Sequence, residues 1–178
     1  RTLPAALPAP IIISQHMPKG FTQPFAVRLS RLAKIKVKEA THGDIVEGGQ
    51  ALICPGGHHM VLKRDGQSVR IALKNASDRD KYIPSVDMMM ISAAEHFGGK
   101  TMGVVLTGMG SDGKLGVVEI KKKGGYTIAE AESTAVIFGM PGEAIKTGTV
   151  DRVLPLYKIP KEIVKAFSGR RDTRWKRN

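Results

Sequence analysis

The sequence predicts an α/β fold: a doubly wound, mostly parallel sheet flanked by helices, with an antiparallel hairpin. Three observations lead there. From Thr101 onward, short apolar runs alternate with stretches of helical period, which argues for parallel strands covered on both faces. Between Met60 and Leu73, two alternating segments flank Asp65-Gly66, a strong hairpin signal. The 20 glycines suit many short turns, and with aromatics at only 5% the core must be built from Ile, Val, Leu and Met.

Each element can be justified in order. Residues 11–14, IIIS, follow Pro8 and Pro10 and read as a short buried strand. QHMPKGF is a connection. A helix follows from about Thr22 to Ala33, with Pro24 in its first turn, where a missing N–H is tolerated. Phe25, Leu29 and Leu32 share its apolar face. IKVKEA alternates, THGD turns, and QALICPGGHH brings a strand to a Pro-Gly-Gly bend. This section is expected to supply antiparallel strands inserted in, or added to, the parallel sheet.

Ser85 precedes a stripe of Val86, Met89, Met90, Ala93, Ala94 and Phe97, so it caps a helix that Gly98-Gly99 stops. The methionines of that stripe read as core filler. TMGVVLT reads as a central strand, and residues 113–123 as a helix whose C-terminal lysines suit its partial negative charge. YTIAE is a strand, MPGEAIKTG a short helix, VDRVLPL a last strand and IPKEIVKAF a final helix.

At 178 residues, one domain is expected over 1–169, followed by a basic tail, 170–178, expected to be disordered. Nothing reads as a signal peptide or a membrane span. Cys54 is the only cysteine, which rules out an intrachain disulfide and a four-cysteine metal site and fits a cytoplasmic location. The net charge is +12; the tail, with five basic residues against one acid, holds +4 of it. Such a surface favours acidic partners without choosing among them.

The chemistry concentrates in two loops. Thr107 to Gly113, TGMGSDG, leaves the end of a predicted strand, where ligand sites lie in doubly wound sheets. Its glycines allow close backbone approach, and the turn can point N–H groups inward. Three readings stay open on the residues alone. The loop could hold a phosphate, although it matches neither GxxxxGK[ST] nor GxGxxG. Its N–H groups could face an oxyanion while Asp112 orients a histidine. Or Asp112 could simply cap the next helix.

His16 stands just past another predicted parallel strand and has the best position of the five histidines, His16, His42, His58, His59 and His96. A carboxylate-held histidine is a general base. His58-His59 lacks a third ligand at zinc-like spacing, so no metal is expected. Neither Ser14 nor Ser111 occupies a G-x-S-x-G elbow, so on residues alone the pair lacks a nucleophile.

QHMPKGF, CPGGHHM, PSVD, LTGMGSDG and ESTAVIFGMPGEAI occur together in this order. In order and spacing, over about residues 1–165, the chain resembles the catalytic domain of bacterial chemoreceptor protein-glutamate methylesterases, the CheB family. The resemblance implies hydrolysis of glutamyl methyl esters on chemoreceptor helices, with glutamine deamidation in many members, through a Ser-His-Asp mechanism without cofactor. It makes His16 the catalytic histidine, Asp112 its orienting acid and the backbone N–H of Met109 an oxyanion donor. The family's nucleophilic serine falls upstream of Arg1, so the 178-residue chain by itself is expected to be inactive. The implied partners are methylated chemoreceptor cytoplasmic helices and a receiver domain, with neither nucleic acid nor membrane insertion. Two departures stand out: Cys54 and Gly57 replace the Ala and Asp of the family's APGDxH, and Ile83 precedes Pro84 where the family has Arg. The alternatives are a phosphate- or nucleotide-binding α/β domain and a basic, non-enzymatic binding module.

Overall fold

Six of the eight strands among the described residues run parallel, and the other two form the hairpin. The computed structural model describes residues 2–168, so Arg1 and the predicted tail, 170–178, lie outside the described residues. The chain divides into two compact units, Arg1–Met89 and Met90–Asn178. Together they make an α/β fold of mostly parallel sheets flanked by helices, with one antiparallel hairpin.

In the first unit, β1 (Ile11–Ile13), β2 (Lys36–Glu39) and β3 (Gln50–Ile53) form a parallel sheet in the order β1-β3-β2. β2 and β3 were expected to be antiparallel. The Lys-Val-Lys-Glu alternation instead belongs to an edge strand with one face in solvent. The connection between them holds the antiparallel signal. Gly43 N–H donates to Ile71 O, Ile71 N–H to Asp44 O and Val46 N–H to Val69 O, so residues 43–46 run along the hairpin. That hairpin, which Asp65-Gly66 signals, is β4 (His58–Asp65) and β5 (Ser68–Asn75), closed by the two-residue turn Gly66-Gln67 with Asp65 paired to Ser68. Helix α1 (Thr22–Leu32) packs on β2. Its inward face carries buried Thr22 and Ala26, with Phe25 and Leu29 half-buried. Leu32, expected on that face, is exposed in the last turn.

Helix α2 (Val86–Phe97) contains the boundary between the units. Ser85 caps it as expected: its Oγ accepts the Met88 N–H at 3.2 Å. In the second unit, β6 (Met102–Val105), β7 (Tyr126–Glu130) and β8 (Arg152–Leu154) are parallel in the order β6-β7-β8. The strand expected to be central, β6, thus flanks β7. The middle strand is the one with Thr127 and Glu130 in it, both fully buried and both hydrogen-bonded, so apolarity alone misjudged the order.

Helices α3 (Lys114–Lys122) and α4 (Gly139–Lys146) cover β6 and β7, and α5 (Ile159–Ser168) closes the described chain. Val105, Val117, Ile120, Ile128 and Ala144 fill this core, and Leu52, Ile53, Met60 and Ile71 fill that of the first unit. Each large side chain so buried contributes about 1.5–3 kcal/mol. Met89 and Met90 are buried, as core filler should be.

Candidate active site

Two loops carry the predicted residues, one in each unit. In the first unit, His16 lies three residues beyond the C-terminal end of β1. The end of that strand is fixed by the Cys54 N–H, which donates to Ile13 O at 2.8 Å. The Pro-Gly-Gly bend after β3 then meets the loop. A Cβ on Gly56 would stand 2.4 Å from Pro18 O and 2.7 Å from Lys19 N, so only glycine lets the two backbones touch. Gly56 N–H donates to Thr22 Oγ1 at 3.0 Å, and the Thr22 hydroxyl donates to Glu39. Gly57 has φ 81°, in the left-handed region that favours glycine.

The half-buried His16 ring stacks on Tyr82, with centroids 5.6 Å apart and planes at 27°. The Lys81 ammonium lies 5.0 Å from the same Tyr82 ring. A cleft of about 360 Å³ opens beside the imidazole, lined by His16, Met17, Pro18, Lys19, Gly57 and Ile83. Tyr82 was missed from the sequence. It lies in RDKYIPSVD, where the cis Ile83–Pro84 bond marks a turn but nothing signals which ring it presents.

The histidine pair divides as strand alternation requires. His59 is buried; its Nε2 lies 3.0 Å from Asp80 Oδ2, and its Nδ1 accepts the Ser85 N–H at 3.0 Å. The His59 hydrogen bond, and then that from Ser77 N–H, hold the Asp80 carboxyl below its ordinary range. His58 is half-buried, 3.4 Å from Gly56 O. His42 accepts the Leu73 N–H, and His96 lies in the last turn of α2. Burial raises the Cys54 thiol to about 12, so it is no nucleophile at neutral pH.

In the second unit, Asp112 is 1% exposed on the loop after β6. Its Oδ1 accepts the Gly113 N–H at 3.1 Å, and Gly113, at φ 92°, occupies the N-cap of α3. The loop is stitched to the segment entering α4. Thr107 Oγ1 accepts the Ile137 N–H, Gly108 N–H donates to Ile137 O, and Met140 N–H donates to Gly108 O. From below, the fully buried Glu130 accepts the Thr107 N–H at 2.8 Å and the Thr134 hydroxyl at 2.9 Å. Among the described residues the Met109 N–H meets no acceptor, and the Met109 side chain is exposed. An unclaimed backbone N–H is the kind of donor that a developing oxyanion requires.

The model of the CheB methylesterase family matches residues 1–163. The chain belongs to the CheB methylesterase family. It is 53% identical over 162 residues to protein-glutamate methylesterase/protein-glutamine glutaminase 3 of Geobacter sulfurreducens, covering 91% of this chain and 44% of that protein. It is 55% identical over 164 residues to the protein-glutamate methylesterase/protein-glutamine glutaminase of Pyrococcus horikoshii, covering 92% of this chain and 44% of that protein. The chain thus spans a little under half the length of these relatives. The crystal structure of the Thermotoga maritima CheB methylesterase catalytic domain matches with a TM-score of 0.88 at 43% identity, covering 92% of this chain and 86% of that one.

Proposed function

We propose that the chain, over 1–169, is the catalytic part of a cytoplasmic protein-glutamate methylesterase that also deamidates glutamine, acting on methylated chemoreceptor helices under a receiver domain. The observation that carries this reading is the Asp112 loop, a buried carboxylate beside the unclaimed Met109 N–H, in a chain of this family. No helix among the described residues is long and apolar enough to cross a membrane.

In this mechanism Asp112 orients His16. A serine carried upstream of Arg1 attacks the ester carbonyl of a methylated glutamate, and His16 takes its proton. The Met109 N–H stabilises the oxyanion, and a well-placed donor of this kind supplies about 3–4 kcal/mol. His16 returns the proton to the departing methoxide, which leaves as methanol. Water then attacks the acyl-serine with His16 again as base, giving the glutamate carboxylate. With glutamine the leaving group is ammonia. The phosphate-binding alternative fits less well. Gly108 N–H and Gly113 N–H are already committed to Ile137 and Asp112, so the loop lacks the several free donors that a phosphate cradle uses.

The test is methanol release from methylated receptor, measured with the 178-residue chain and with the same chain extended upstream by a serine-bearing segment. Turnover only with the extension supports the mechanism. Turnover by the 178-residue chain that is lost in Ser111→Ala or Ser14→Ala overturns the nucleophile assignment.

A further inference from the structure

His16 and Tyr82 both lie outside regular secondary structure, so neither ring is held by a helix or a strand of its own. Their centroid distance of 5.6 Å and interplanar angle of 27° fall in the range of favourable stacking. What fixes Tyr82 is visible on either side of it. Asp80, two residues before, and Ser85, three residues after, bind opposite nitrogens of one buried imidazole, His59. Asp80 also accepts the Ser77 N–H at 2.7 Å, which closes the start of the same segment.

The hydrogen bonds choose the tautomer. Ser85 offers a backbone N–H, so Nδ1 of His59 must present a lone pair. The ring proton then sits on Nε2 and points to Asp80. His59 itself is carried by β4, paired across the hairpin with Lys74, and so it rests on a rigid element. One buried ring therefore staples a segment of irregular backbone at two points that flank Tyr82.

We propose that Tyr82 is a positioning residue for the His16 imidazole, and that His59 holds Tyr82 in place through Asp80 and Ser85. The consequence for catalysis rests on the proposed role of His16; the geometry does not. Ring orientation is what a general base needs before it can meet a proton, and a stacked face fixes tilt while leaving the ring-edge nitrogens to act.

The test reads the His16 ring directly, by its carbon-bound proton signals in NMR spectra of the 178-residue chain, assigned through their loss in His16→Gln. Tyr82→Leu is expected to displace both signals and Tyr82→Phe to keep them near their original positions. Asp80→Ala, which removes the acceptor for both the His59 ring proton and the Ser77 N–H, and His59→Gln are expected to move them toward the Tyr82→Leu positions while the remaining spectrum stays folded. Asp80→Ala decides the matter where His59→Gln does not fold. His16 signals that stay in place in Tyr82→Leu overturn the positioning role. Signals that move in Tyr82→Leu but not in Asp80→Ala overturn the part given to His59. In the serine-bearing protein, Tyr82→Leu should lower kcat more than it changes KM, with recovery in Tyr82→Phe; an equal loss in both variants also counts against positioning. If the unaltered protein releases no methanol, the esterase reading fails and the ring-signal result still judges this proposal.

Discussion

The loop bearing Asp112 and the loop bearing His16 both leave the C-terminal end of a parallel strand, yet different contacts hold them. Around Asp112 the fastening is largely backbone: Gly108 exchanges hydrogen bonds with Ile137 and Met140, and the buried Glu130 grips the Thr107 N–H. Around His16 it rests more on side chains: the Tyr82 ring, the Thr22 hydroxyl under Gly56, and beyond them the His59 staple. Backbone fastening tolerates changes of side chain and resists changes of path. Side-chain fastening does the reverse. The carboxylate is thus sealed in a fixed place, while the imidazole sits at the wall of a cleft where its setting depends on a few named rings.

The largest effect expected is catalytic. In the serine-bearing protein, Asp112→Asn should lower turnover by about 10³–10⁴-fold, the scale seen when an orienting acid is neutralised, because the histidine tautomer is no longer held. The thermal midpoint should change little, since an amide oxygen can still accept the Gly113 N–H. Steady-state rates beside a melting curve check this, and an unchanged rate removes Asp112 from the mechanism.

Next come two glycines at which backbones touch, one beside each loop. Gly56→Ala would set a methyl 2.4 Å from Pro18 O, and Gly139→Ala one 2.7 Å from Gly108 O. Neither neighbour is the end of a flexible side chain, so the path itself must move, at a cost of about 1–3 kcal/mol or more. Denaturant midpoints should fall in both, further for Gly56→Ala. If Gly56→Ala is the milder change, the His16 loop is looser than its contacts suggest. Glu130→Ala is expected to be comparable or smaller, about 1–3 kcal/mol, through the lost acceptor for Thr107 and Thr134.

These contacts also mark where the sequence could be read. The strand and helix order was legible because glycines and apolar periods punctuate it, and His16 and Asp112 stood out because each follows a predicted strand. Direction was less legible: the 40–49 connection has no helix, so β2 and β3 looked like antiparallel neighbours. Glu130 was invisible as a buried group, since a carboxylate in a strand reads as solvent-facing until its two donors are seen. Tyr82 and the His59 staple depend on contacts across 21 to 66 residues of chain, for which no local pattern exists.

A thiol probe can compare the units without any assay of function. Cys54 is fully buried next to the Pro-Gly-Gly bend, and burial holds its thiol near 12. Alkylation at pH 8 should therefore be slow and limited by opening of the first unit. Gly56→Ala should accelerate it, and Gly139→Ala, whose contacts lie in the second unit, should accelerate it less. Equal acceleration would mean that the two units open together.

The smallest effect expected is electrostatic and lies on the Asp112 side. Lys114, two residues after Asp112, and Lys146 both bind Glu143 of α4, at 2.9 and 2.6 Å. Lys146 first and Lys114 second hold the Glu143 carboxyl down at about 2, from an ordinary value of 4.5. A depressed folded value means that the unfolded chain takes up the proton first as pH falls. The stabilisation is therefore complete above about 4.5 and is lost as pH falls toward about 2. Glu143→Gln should flatten the melting midpoint over that window and lower it slightly above about 4.5, pH 7 included; the loss is small because solvent and salt screen such pairs. The contrast between variant and unaltered chain should shrink in high salt. If it persists there, the pair is fastening α3 to α4 by geometry more than by charge, and the Asp112 loop is even more a matter of backbone path than the hydrogen bonds alone imply.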